Sequence, residues 1–202
     1  MNAIDAMANR HPELQSCLNQ VKDAYDVLLT CFEEGNKLLL CGNGGSCADC
    51  EHIAGELVKS FSRERPLDSE LAEKLGPDLA ANLHGSLPAI PLPSFSAFHT
   101  AFANDDHADY AFAQQVIGLG KPGDALLAIS TSGNSANVLH AAKTAHATGI
   151  KVIGLTGEDG GRLTSLCDVA VSVPAQDVAR VQELHLPVYH ALCQALEDTI
   201  FG

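Results

Sequence analysis

Apolar residues recur at helical spacing from Ile4 to Phe32, with Leu14, Val21, Tyr25, Leu28 and Leu29 on one face, and Gly35 ends the pattern. This predicts one long amphipathic helix. The pattern then changes to an apolar run of strand length, KLLLC, which breaks into GNGGS before helical spacing resumes from about Ala48 to Phe61. The same strand, loop and helix unit returns at DALLAIS, TSGNS and ANVLHAAKTAHAT, and again at KVIGLTG, EDGG and a shorter helix. Short apolar strands alternating with helices predict a parallel sheet. PAIPL and VAVSVP read as two further strands, and a final helix runs from about Val178 to Ile200. The expected fold is α/β, a three-layer doubly wound parallel sheet of flavodoxin-like type with long N- and C-terminal helices. Ligands bind such sheets at the carboxyl ends of the strands, where the polar loops fall here.

Residues 67 to 87 carry a short helical pattern, SELAEKL, between Pro66 and Pro88 and no strand character. They read as an insertion in one domain spanning 1–202, lying over the surface, at a subunit contact or as a lid.

A formal net charge of −13 disfavours extended nucleic-acid binding. A small anion is still compatible, because helix amides and hydroxyls can hold phosphate within an acidic protein. No apolar run approaches the roughly 20 residues that cross a bilayer. The opening MNAIDAMANRHPELQ lacks a signal peptide's layout, so a cytoplasmic protein without a membrane partner is expected. Seven cysteines, an odd number, point to reduced thiols rather than a disulfide framework.

Two loops carry candidate chemistry. Ser130, Thr131, Ser132 and Ser135 lie between a strand and a helix, with Gly133 letting the backbone approach closely. Four hydroxyls beside helix amides suit a phosphate monoester, the alternative being a serine-rich turn with an ordinary N-cap. The loop Gly42-Asn43-Gly44-Gly45-Ser46 occupies the same place in its own unit. It has neither dinucleotide nor Walker spacing, which removes support for nucleotide cofactors.

His52 and Glu56 are four apart on one helix face, and Gln182 and His190 are eight apart on the last helix. Two nitrogens and two oxygens would suit zinc or a similar divalent ion; taken singly, each pair also fits an ordinary surface contact. Cys47 and Cys50 form a lone CxxC, which raises a redox pair or a zinc knuckle, but no second pair or thioredoxin context accompanies it, and helix packing is the preferred reading. Asn104-Asp105-Asp106 suits a helix cap better than a polyol contact on composition alone.

In order along the chain, CGNGGS, HIAGE, AND, STSGNSANV, KVIGLTGEDGG and RVQELHLPVYH resemble the sugar isomerase (SIS) domain, and specifically the bacterial phosphoheptose isomerases. The resemblance implies that Asn43, Gly44, Gly45, Asn104, Asp105, Ser130, Thr131, Ser132 and Ser135 line a phosphosugar, with the serines and Ser46 around its phosphate. It implies one Zn²⁺ per subunit on His52, Glu56, Gln182 and His190, and a homotetramer with active sites between subunits. The implied reaction is isomerisation of sedoheptulose 7-phosphate to D-glycero-D-manno-heptose 7-phosphate for cell-surface glycans. In it Glu56 moves the carbon-bound proton, His190 handles hydroxyl protons, and Gln182 and Glu56 also touch the sugar. Non-catalytic relatives that sense phosphosugars or bind a replication initiator share the serine loop, and are set apart here by the presence of Glu56 and His190. Cys47, the insertion and Ala179 are departures from the commoner family pattern.

Overall fold

The computed structural model of the chain describes residues 2–202. Helices α1 (Ala3–Arg10) and α2 (Leu18–Glu33) stand where the apolar spacing predicts one continuous helix, with a 3-10 segment over Pro12–Cys17 between them. The break falls at Pro12, which has no amide proton to donate, and at His11, whose backbone the proline ring keeps out of the helical region (φ −127°, ψ 77°). Leu14 is nonetheless fully buried, so the apolar spacing runs through the break and conceals it.

The chain continues through β1 (Leu38–Cys41), α3 (Gly45–Val58), α4 (Ser69–Leu75), α5 (Pro77–Asn82), β2 (Ala89–Pro91), α6 (Ser96–Asp105) and α7 (Ala111–Leu119). It ends through β3 (Ala125–Ile129), α8 (Ala136–Ala147), β4 (Lys151–Thr156), β5 (Val169–Ser172) and α9 (Val178–Ile200). All pairings are parallel, in the order β2-β1-β3-β4-β5, with Leu39 opposite Leu126 and Leu127 opposite Ile153. The five expected strands are present. The shorter helix after EDGG is a 3-10 segment, Gly161–Leu166.

Alternation along the strands divides the core into two. Leu38, Leu40, Leu127 and Ile153 pack under α1, α2, α3 and α9. Leu39, Cys41, Leu126 and Val152 pack against α7 and α8 on the other face. The result is the three-layer sandwich that parallel sheets require, since both faces must be covered. The chain order reverses between β1 and β3, and the crevice at such a switch point is where ligands bind. The loops after those two strands are the two singled out above.

The insertion contains α4 and a second short helix, α5, and neither has a buried residue. Its ends are tied down by Gly85 N donating to Arg65 O at 2.7 Å and by Leu87 N donating to Leu57 O at 3.0 Å. Asp68 caps α4 with bonds to the amides of Glu70 and Leu71.

Candidate active site

The loops after β1 and β3 line a cavity of about 270 Å³ with Asn43, Gly44, Gly45, Ser46, Ser130, Thr131 and Ser135, closed by Ile129, Val178 and Gln182. Ser135 occupies the N-cap position of α8, yet its hydroxyl makes no capping bond. It meets the Ser130 hydroxyl instead, at 3.1 Å, so the ordinary-cap alternative does not describe it. Ser132 does behave as a turn residue, accepting from Asn134 N at 3.2 Å, and is not part of the cavity wall. Gly133 is left-handed (φ +61°), and a Cβ there would run into the Gly160 carbonyl. Only glycine fits.

Asn43 is held by a reciprocal amide pair with Asn137: each Nδ2 donates to the other's Oδ1, at 2.9 and 2.8 Å. This ties the first loop to the start of α8 across the crevice. Asn137 sits two residues past Ser135 inside a helical pattern, and nothing in its spacing marks it out.

α3 and α9 pack side by side and bring the distant segments together. Gln182 lies against Gly45, close enough that a Cβ on Gly45 would overlap its side-chain amide. Further along, His52 Nε2 is 3.3 Å from Glu56 Oε1 and 3.3 Å from His190 Nε2. Atoms bound tetrahedrally at about 2.0–2.1 Å from one zinc ion lie about 3.3 Å apart, so both separations match the edge of such a site. Among the described residues no set of three His, Cys, Asp or Glu side chains is closed into a finished cage. The two legs share His52 as their corner. Eight residues of helix place Gln182 about 12 Å along α9 from His190, and its side chain points to the cavity end of the site.

Electrostatics favour neutral imidazole at His190, whose pKa is held below the ordinary histidine value by burial and then by His52. Glu56 divides its oxygens, Oε1 facing His52 and Oε2 accepting from Lys59 Nζ at 3.2 Å. Behind His52, the Tyr189 hydroxyl donates to Asp49 Oδ1 at 3.2 Å and lies 3.1 Å from His52 Nδ1. Burial pushes the Tyr189 and Asp49 pKa values up.

Asn104 and Asp105 end α6, and their side chains bond each other at 2.8 Å. They do not line the cavity. The expected cap is at a helix end: Asp106 is the C-cap of α6, its backbone amide donating to Phe102 O at 2.8 Å, while the next 3-10 segment begins after His107. Cys50 is fully buried, and burial pushes both CxxC thiols up, that of Cys50 well above its ordinary value. A helix start has not activated them. All seven cysteines are free.

The SIS domain family pattern matches residues 4–157. Phosphoheptose isomerase of Thiobacillus denitrificans is 40% identical, aligned over 100% of this chain and 89% of that one. The chain belongs to the phosphoheptose isomerase family. The phosphoheptose isomerase of Trichlorobacter lovleyi is 42% identical over 90% of this chain and 83% of its own. The solved phosphoheptose isomerase of Neisseria gonorrhoeae superposes with a TM-score of 0.77 at 34% identity, covering 96% of this chain and 94% of that one. Among the described residues no helix is long and apolar enough to cross a membrane. Within this phosphoheptose isomerase framework, sequence reasoning missed Asn137, Asp49 and Tyr189. Tyr189 adjoins His190 in the motif RVQELHLPVYH, which was the available signal.

Proposed function

We propose that this chain is a cytoplasmic, metal-dependent aldose–ketose isomerase converting sedoheptulose 7-phosphate to D-glycero-D-manno-heptose 7-phosphate for cell-surface glycan synthesis. The observation that carries the reading is the convergence of His52, Glu56 and His190 on 3.3 Å separations, on the helices whose other ends wall the serine-lined cavity. A divalent ion held by His52, Glu56, His190 and Gln182, zinc by preference, would supply a Lewis acid that draws charge from the sugar's carbonyl and neighbouring hydroxyl oxygens.

The chain's own groups divide the remaining work. Ser130, Thr131, Ser135 and Ser46 accept the phosphate with the amides opening α3 and α8, and Ser132, outside the cavity wall, shapes the loop between them by accepting from Asn134 N. Asn43, braced by Asn137, and the backbone of Gly44 and Gly45 orient the sugar hydroxyls. Glu56 takes the proton from the carbon beside the carbonyl and returns it to the neighbouring carbon, and His190 moves the hydroxyl protons. Asn104 and Asp105 lie outside this chain's cavity wall, on a helix with no buried residue. They are assigned to the site of a neighbouring subunit in a homotetramer.

The test is turnover of sedoheptulose 7-phosphate by zinc-loaded protein, followed by NMR, with Glu56→Gln as control. Product from wild type and none from the variant is expected. Binding without turnover would move the reading to a phosphosugar sensor, and unchanged turnover in the variant would remove Glu56 from its role.

A further inference from the structure

A hydroxyl has one proton, and at Tyr189 two groups compete for it. Tyr189 is almost wholly buried, with Asp49 Oδ1 at 3.2 Å and His52 Nδ1 at 3.1 Å from its oxygen. The Asp49 carboxyl decides the competition. Its other oxygen, Oδ2, is buried without any hydrogen-bond partner among the described residues. Were the Tyr189 proton given to His52, the carboxyl would lose its bond from Tyr189 as well, a costly state for a buried acceptor. The proton therefore goes to Asp49, and the Tyr189 oxygen is left as an acceptor. A group that faces it must donate, which places a His52 ring proton on Nδ1 and makes Nε2 the nitrogen left for a metal. That Nε2 is the atom lying 3.3 Å from both Glu56 Oε1 and His190 Nε2.

We infer that Asp49 and Tyr189 are positioning residues that hold a proton on His52 Nδ1, so that Nε2 is the ring nitrogen presented to a metal. Histidines that bind metals commonly give their other N–H to a carboxylate or carbonyl, which sets the ring's orientation. Here a tyrosine oxygen is interposed between ring and carboxylate, and the chain Asp49, Tyr189, His52 spans from α3 to α9 and back. The consequence for metal affinity rests on the metal-site reading above, but the Nδ1 proton is a property of the metal-free chain, whether or not Nε2 also shares a proton with Glu56 Oε1.

The experiment is ¹⁵N NMR of metal-free protein labelled in its histidine side chains, the His52 signals assigned with His52→Asn, followed by zinc titration. Wild type is expected to show His52 protonated on Nδ1. Tyr189→Phe is expected to lose that preference and weaken zinc binding by roughly 10- to 100-fold. Asp49→Asn, which preserves volume should Tyr189→Phe fold poorly, is expected to shift both readouts in the same direction. The double variant should bind zinc no more weakly than Tyr189→Phe, because Asp49 acts through the tyrosine. His52 without a proton on Nδ1 in wild type, or Nδ1 protonation unmoved by both variants, overturns the inference. Protonation on Nδ1 with no zinc affinity would support the proton's placement and sink the metal assignment instead.

Discussion

Arg65 Nε donates to Glu197 Oε1 at 2.7 Å, and neither side chain has any exposed surface. The pair is fully satisfied. Glu197 also accepts from Phe61 N, Ser62 N and the Ser62 hydroxyl, while Arg65 donates to the carbonyls of Leu57 and Glu56. Those carbonyls belong to the last turn of α3, whose acceptors have no intrahelical partner. Arg65 thus closes the helix that carries His52 and Glu56, and locks it to α9. Glu197→Gln and Arg65→Met should each cost about 3–5 kcal/mol in urea unfolding, since each strands a buried charge or its partners. The double variant should cost less than the sum of the two. Additive losses would show that the residues do not act as a pair.

Acid should remove stability in two successive windows. Burial holds His185 neutral, with its pKa lowered to about 4, its Nε2 donating to Thr156 O. The unfolded chain takes up that proton first, so stability falls as pH drops from about 6.5 toward 4. Glu197 opposes its burial with bonds from Ser62, Phe61 and Arg65, which bring it down to about 2. Its contribution, on the order of 3 kcal/mol, is complete above the ordinary carboxylate range and is lost as pH falls from about 4.5 toward 2. Unfolding midpoints measured across pH should lose the upper window in His185→Phe and the lower one in Glu197→Gln.

Alanine at two glycines should separate stability from function. At Gly133 a Cβ would meet the Gly160 carbonyl in left-handed backbone, and neither backbone can yield cheaply. Gly133→Ala should lower the melting temperature and raise the KM for a phosphosugar together. At Gly45 the atoms nearest an added Cβ are those of the flexible Gln182 amide, in the first turn of a helix. Gly45→Ala should leave the melting temperature nearly unchanged while kcat/KM falls, because Gln182 is displaced from the cavity wall. A destabilised Gly45→Ala would contradict this.

The strands were legible because Leu38–Cys41 and Ala125–Ile129 are buried on both faces, and a short run of unbroken apolar residues has few other readings. Helix α6 was not, because its apolar positions form no buried face within one chain. The i,i+4 spacing put Glu56 beside His52 without further information. That His190 meets them, and that Gln182 faces Gly45, depends on how α3 lies along α9, which no local spacing encodes. Tyr189 was invisible for a related reason: an aromatic residue on an apolar helix face reads as core, and its hydroxyl matters only once Asp49 and His52 are placed around it.

Thiol reactivity offers a check that does not depend on substrate. Cys17, Cys31, Cys41, Cys50 and Cys193 are buried, and only Cys47 and Cys167 are partly accessible. Burial pushes even those two thiols up, Cys167 to about 12, with Glu51 adding to the effect at Cys47 and Asp168 at Cys167. The thiolate is the reactive form, so at neutral pH native protein should be labelled slowly by an alkylating reagent, at no more than two positions. Full labelling should require denaturant, and treatment of the native protein should leave turnover largely intact. Rapid native modification of Cys47 and Cys50, with loss of activity, would instead assign the CxxC a chemical role that packing does not supply.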